Sequence, residues 1–307
     1  MEHRIEFLRV SYDVLQVLSP YSTISVTFTV RAGSYSSCST VLFQEIKAVN
    51  ALVGKAFKQV KDAFASRGKP RFIPHCKMCY TDEKIDHLLS IPYSHLTVED
   101  LRPILWDGYM CWGTWPQIAY YIPRLLEFYY EDTIPDDEQL YAKLLLAVRP
   151  ELELSVGKPN IVDEMTDEER KSVFSFVAAV LEYRLIEDAD CDRAWIMFET
   201  LGFLTAFDQP ILPLLAKLEN SDNQRTRANI CLVLADNTLS PESFSNMYLK
   251  RLTMLPKNEK ALGSFFSSAH VAKYLSLHAG DVAMFGKERM ADVNFAYEWA
   301  MSQHEAV

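Results

Sequence analysis

Apolar residues at Ile46, Val49, Val53, Phe57, Val60 and Phe64 recur every three or four positions, the spacing of one buried stripe on a long α-helix. A helix of this kind cannot cover its own stripe, so other apolar faces of the chain must do it. The stop signal follows at Arg67-Gly68-Lys69-Pro70, with glycine ending the helix and proline barring its continuation. The same grammar repeats downstream. Thr97 stands before Val98–Trp112 as a cap, with Glu99 and Asp100 in the first turn, where they complement the helix dipole. Thr166-Asp-Glu-Glu169 is a capping box ahead of the apolar run Val173–Leu185. Ser240-Pro241-Glu242 places proline at a first helical position, and stretches near 258–277 and 287–303 also read as helices. The expectation is a mainly α fold of about ten or eleven helices joined by short loops.

Residues 1–40 read differently from residues 41–307. Ile24, Val26, Phe28 and Val30 alternate along Thr23–Val30, which is a strand pattern. Before it, Leu8, Val10, Tyr12 and Val14 alternate, while Ile5, Leu8, Tyr12 and Leu15 keep helical spacing. A small N-terminal element is expected there, a β-hairpin turning near Ser19-Pro20 or an irregular segment. The helical domain then occupies 41–307. Within it, Trp106, Gly113 and Pro123 recur as Trp195, Gly202 and Pro213, at offsets of 89, 89 and 90 residues. Each copy reads as a helix, a glycine stop and a second helix entered through proline. Two stacked units of HEAT or armadillo length would give such an offset, so an α-α superhelix of HEAT-like hairpins is expected.

The chain is 49% hydrophobic and 23% charged, which fits a folded protein and excludes a disordered one. No apolar run has the length of a membrane span, and Met1-Glu-His-Arg-Ile-Glu lacks the basic start and apolar core of a secretory signal. A cytoplasmic location and no membrane partner are therefore expected. The net charge of −10, with basic residues scattered, speaks against nucleic acid. Acidic residues cluster at Glu131-Asp132, Asp136-Asp137-Glu138, Asp163-Glu164, Asp167-Glu168-Glu169 and Glu187-Asp188. They read first as solvated loops, and otherwise as a face steering a basic protein partner.

Cysteines 38, 76, 79, 111, 191 and 231 show no disulfide-framework spacing. Cys111, Cys191 and Cys231 sit among apolar helix residues and read as small hydrophobes. The sharpest motif is Pro74-His75-Cys76-Lys77-Met78-Cys79-Tyr80. Two thiolates three apart can share one zinc, whose four-ligand preference would draw on nearby imidazoles, with His75 and His87 as candidates and His95 beyond them. The same spacing suits a redox pair, although no strand leading into a βαβ unit accompanies it. The plain alternative is a pair of packing thiols at a helix start. No catalytic elbow, phosphate loop or HExxH is present, so no enzyme activity is expected. The aromatic run Trp106, Trp112, Trp115, Tyr120, Tyr121, Phe128, Tyr129 and Tyr130 suits buried helix faces, and in part an aromatic groove for a partner.

The stretch from His75-Cys76 to Tyr130 carries a CxxCY start, Leu88-Leu89, Leu96 and Glu99-Asp100-Leu101. It continues through Trp112-Gly113 and ends at Ile122-Pro123-Arg124-Leu125-Leu126-Glu127. This pattern resembles a widespread family of uncharacterised bacterial helical proteins. The resemblance covers roughly 60 residues well and implies a helical repeat-like fold, with no particular activity. The reading at this stage is a non-catalytic protein-binding module, in a concrete version a bacterial immunity or accessory protein docking a basic partner. Its binding residues would be Trp112, Trp115, Tyr120, Tyr129, Asp136, Asp137, Glu187 and Asp188. The alternative is a zinc- or thiol-dependent regulator using Cys76 and Cys79 with His75 and His87.

Overall fold

The computed structural model describes residues 38–131, 164–187, 194–205, 207, 209–239 and 256–305. The chain divides into two units, Met1–Thr40 and Val41–Val307. The hairpin expected before residue 37 and the helix expected from Ser240 lie outside the described residues. What is described is helical: α1 (Cys38–Phe64), α2 (Asp82–Ser90), α3 (Val98–Cys111), α4 (Trp115–Tyr130), α5 (Asp167–Glu187), α6 (Ala194–Thr205), α7 (Leu212–Glu219), α8 (Gln224–Leu239), α9 (Pro256–Phe265), α10 (Ser268–His278) and α11 (Lys287–Glu305). Short 3-10 turns occupy Tyr93–His95 and Ala279–Phe285. Among the described residues the sole β pairing is one isolated antiparallel bridge, His75 with Trp112. No helix among them is long and apolar enough to cross a membrane.

The helices start where the side chains can cap them. Thr97 and Asp100 exchange bonds at the start of α3, Thr97 N–H to Asp100 Oδ2 at 2.8 Å and Asp100 N–H to Thr97 Oγ1 at 3.3 Å. Thr166 and Glu169 do the same before α5, at 2.8 and 3.2 Å. Glu169 is buried and also grips Arg67, just beyond α1, with both carboxylate oxygens. The stretch expected as one helix near 258–277 is two, broken at Phe266-Ser267, where the Ser267 hydroxyl accepts from His270 N–H and caps α10.

The core is one cluster running from Val53, Val60 and Phe64 on α1 through the inner face of α4 to Val293, Ala296 and Ala300 on α11. Phe57 meets Phe176 of α5 with ring centroids 5.3 Å apart, which covers the α1 stripe. Helix α8 is enclosed: every residue from Ala228 to Ala235 is buried, and α5, α6, α10 and α11 all pack against it. Sequential hairpins also form, α3 on α4, α5 on α6 and α10 on α11.

The two copies of the Trp-Gly-Pro pattern take different local structures. Gly113 follows α3 with a φ of +70°, in the left-handed region that favours glycine. Gly202 lies inside α6, because helical continuation there buries Phe203 and Leu204. Pro213 is in the first turn of α7, whereas Pro123 sits in the middle of α4 among buried Tyr121, Ile122, Leu125 and Leu126. Burial of that face outweighs the loss of one backbone hydrogen bond. Replacing Gly113 with alanine should cost about 1 kcal/mol, because the added Cβ is strained by φ even though the space would hold it. Urea unfolding would show the loss as a lower midpoint at unchanged slope.

Two histidines on α10 give the fold a pH dependence. Burial, the largest cause for each, pushes His270 and His278 below the ordinary imidazole range, with the Arg227 guanidinium adding to the effect at His278. Glu219 at 3.4 Å from His270 and Asp281 at 3.7 Å from His278 act in the opposite sense and do not overcome it. Both folded values being depressed, the unfolded chain binds more protons just below about pH 6.5. Stability is therefore full above that value and falls as pH drops through it. The urea midpoint should be lower at about pH 5.5 than at about pH 7.5, and a His270→Gln, His278→Gln double variant should flatten the difference.

Candidate metal centre

The motif at Cys76 is a tight turn. The Cys76 carbonyl accepts from Cys79 N–H at 3.1 Å and Tyr80 N–H at 2.9 Å, which swings both thiols of the pair to one side. Thr81 then caps α2 by accepting from Lys84 N–H at 3.4 Å. The isolated bridge brings in the end of α3: Cys76 N–H donates to Cys111 carbonyl at 2.8 Å, and Gly113 N–H donates to Pro74 carbonyl at 2.6 Å. Trp112 anchors that bridge from inside, 1% exposed, with its ring 5.8 Å from Tyr121. The turn before α2 and the last residue of α3 are thus fixed against each other by backbone bonds.

The consequence is a third sulfur. The Sγ atoms of Cys76, Cys79 and Cys111 all lie within 4.8 Å of one another, and Cys79 Sγ is 3.5 Å from Cys111 Sγ. A tetrahedral zinc with Zn–S bonds of about 2.3 Å sets its sulfurs about 3.8 Å apart, so small side-chain rotations bring the three into place. Cys79 is exposed, and the other two are half-buried.

Electrostatics separate the thiols. Backbone N–H groups of Met78 and Cys79 donate to the Cys76 sulfur and lower its pKa. The hydrogen bond of the Cys79 thiol to the Cys111 sulfur, and next that to Cys76, hold its proton and push Cys79 up to about 12. The backbone thus favours the Cys76 thiolate, while the Cys79 thiol keeps its proton.

The imidazoles proposed from sequence stand elsewhere. Neither His75 nor His87 belongs to the group of mutually close ligand atoms. His75 is held by its backbone bridge to Trp112, and its Nδ1 donates to Ile73 carbonyl at 2.9 Å. Its Nε2 lies 3.3 Å from Asp82 Oδ1 without hydrogen-bond alignment. Asp82 also pairs with Lys77, which holds its carboxyl below the usual range. His87 is exposed on α2 and faces a cavity of about 430 Å³ between α2 and α3, lined also by Tyr80, Lys84 and Trp112. Cys111, read from sequence as a packing thiol, is the third sulfur beside the pair. Its signal was present in Cys111-Trp112-Gly113, where a glycine two residues past the cysteine marks the turn that reverses the chain toward Pro74.

Of the binding residues expected from sequence, those that the structure describes are mostly interior. Trp112, Trp115 and Tyr129 are core residues, because positions 115, 118, 119, 122, 125, 126 and 129 form the inward face of α4. Tyr120 is half-buried, stacked edge-on between Tyr93 and Tyr121. Asp136, Asp137 and Asp188 lie outside the described residues, as does the side chain of Glu187. The large apolar side chains that are exposed include Phe295 at 61% and Trp299 at 49%, one turn apart on α11. Sequence reading placed this helix without singling them out. No family model, curated protein or solved structure matches this chain.

Proposed function

We propose that the chain is a helical module organised by a thiolate metal centre, in which Cys76, Cys79 and Cys111 hold a zinc ion. The observation that carries this reading is the convergence of three sulfurs within 4.8 Å from two separate elements. Sulfur donors select a soft or borderline cation such as Zn²⁺ over Mg²⁺ or Ca²⁺. The metal would clasp the start of α2 to the end of α3, which fixes the hairpin between them and the cavity it encloses. Elemental analysis of reduced, freshly purified protein should find one zinc per chain, lost in a Cys76→Ser, Cys79→Ser double variant. Reduced protein that takes up no zinc when the ion is offered would remove the proposal.

A second reading concerns what the module binds. Phe295 and Trp299 stand exposed on α11 with Glu288, Asp292 and Glu298, also exposed. An acidic face with aromatic anchors suits a basic protein partner, in keeping with a bacterial immunity or accessory role and with a cytoplasmic site of action. The sequential hairpins favour the HEAT-like form of such a module, and the all-round burial of α8 favours a closed bundle at its C-terminal end. For any partner, affinity should weaken as salt rises and fall in a Phe295→Ala, Trp299→Ala variant. Salt-independent binding would exclude charge steering.

A further inference from the structure

We infer that Cys79 and Cys111 form an oxidation site, at which a peroxide exchanges the bound zinc for a Cys79–Cys111 disulfide. This rests on the zinc reading for the metal it releases, and on geometry alone for the bond it forms. Two observations carry it. Cys79 is the exposed member of the trio and so the sulfur that a small oxidant meets first. Its sulfur lies 3.5 Å from that of Cys111, so the pair has about 1.5 Å to close to reach the S–S length of about 2.0 Å.

The chemistry balances in two steps. The Cys79 thiolate attacks one oxygen of the peroxide and the O–O bond breaks. This gives a sulfenic acid and a hydroxide, which takes a proton to become water. The Cys111 thiolate then attacks the Cys79 sulfur, the S–O bond breaks, and a second hydroxide leaves and is protonated to water. Two thiolates, one hydrogen peroxide and two protons become one disulfide and two waters. Zinc keeps one thiolate of its three and departs to a chelator. The cross-link joins the same two chain segments that the Cys76–Cys111 and Gly113–Pro74 backbone bonds hold, so the oxidised protein should keep its fold.

The experiment treats reduced, zinc-loaded full-length protein with hydrogen peroxide beside a colorimetric zinc chelator. Released zinc, intact mass and a peptide map are followed together. Expected are one zinc released per disulfide formed, a Cys79–Cys111 cross-link in the map, and recovery of zinc uptake after thiol reduction. In metal-free Cys76→Ser, which keeps both sulfurs of the bond, the same cross-link should still appear in the map. A Cys76–Cys79 disulfide in the wild type overturns the inference, as does sulfinic acid at Cys79 with zinc retained. Metal-free protein is treated in parallel. If no zinc ever binds but the Cys79–Cys111 bond still forms, the metal reading fails and the oxidation site stands. If zinc binds and no such bond forms, the oxidation site fails alone.

Discussion

Replacing Cys111 with serine should lower zinc affinity by more than ~100-fold, beyond the range produced by changing groups that merely support a ligand. A neutral hydroxyl is a poor substitute for a thiolate, and the two remaining sulfurs cannot complete zinc's coordination. His87→Ala should leave affinity unchanged, because that imidazole is exposed on α2 and outside the sulfur group. Competition with a chelator of known affinity measures both. The pair of variants separates the ligand set that spacing suggests, Cys76 and Cys79 with nearby histidines, from the one that the fold assembles. An unchanged affinity in Cys111→Ser would sink the three-sulfur centre. Because binding energy at such a site is also folding energy, zinc should raise the thermal midpoint of the wild type and not that of the same variant.

Arg67→Ala should destabilise the protein by about 3 kcal/mol, the lower end for breaking a buried ion pair by removing one partner. Arg67 Nε and Nη2 donate to the two oxygens of Glu169 at 2.6 and 2.8 Å, and the Glu169 side chain is 1% exposed. Without the guanidinium that carboxylate keeps the Thr166 N–H and loses its countercharge. The effect stays at the lower end because this cap survives. Arg67 also lies over the Trp115 ring, 5.7 Å from its centroid, so some packing is lost with it. Lys58→Ala removes an exposed pair with Asp62 on α1 and should cost no more than about 0.5 kcal/mol. Denaturant midpoints rank the two, and equal losses would show that Glu169 does not depend on Arg67. An Arg67→Met, Glu169→Leu variant should recover much of the stability, since an apolar pair leaves no charge buried.

The capping box at Thr166 and Glu169 was legible because both its partners lie within one helical turn. The ion pair from Glu169 to Arg67 was not, since it spans 102 residues and nothing local marks it. The sulfur cluster shows the same division. Cys76 and Cys79 stand out by spacing, whereas Cys111 is 32 residues further on and joins them only through the bridge between His75 and Trp112. The aromatic density of α4 was visible, but its inward face is chosen by what packs on it. Trp112, Trp115 and Tyr129 therefore turned out to be core, and exposed Phe295 and Trp299 were passed over. The Trp-Gly-Pro recurrence misled at Gly202 and Pro123, where burial of neighbouring side chains carried each helix through its nominal breaker.

The sequence by itself determined that the described chain is helical, where α1 carries its stripe, and where α3 and α5 begin. All of these are written in periodicity and caps that act over a few residues. Tertiary structure alone decided which third sulfur meets the cysteine pair and which aromatics face inward. It also decided that α8 is enclosed. The physical reason is range: hydrogen bonds and propensities within a turn are read from neighbours in sequence, while burial and sulfur–sulfur contact depend on segments that meet only when the chain has folded.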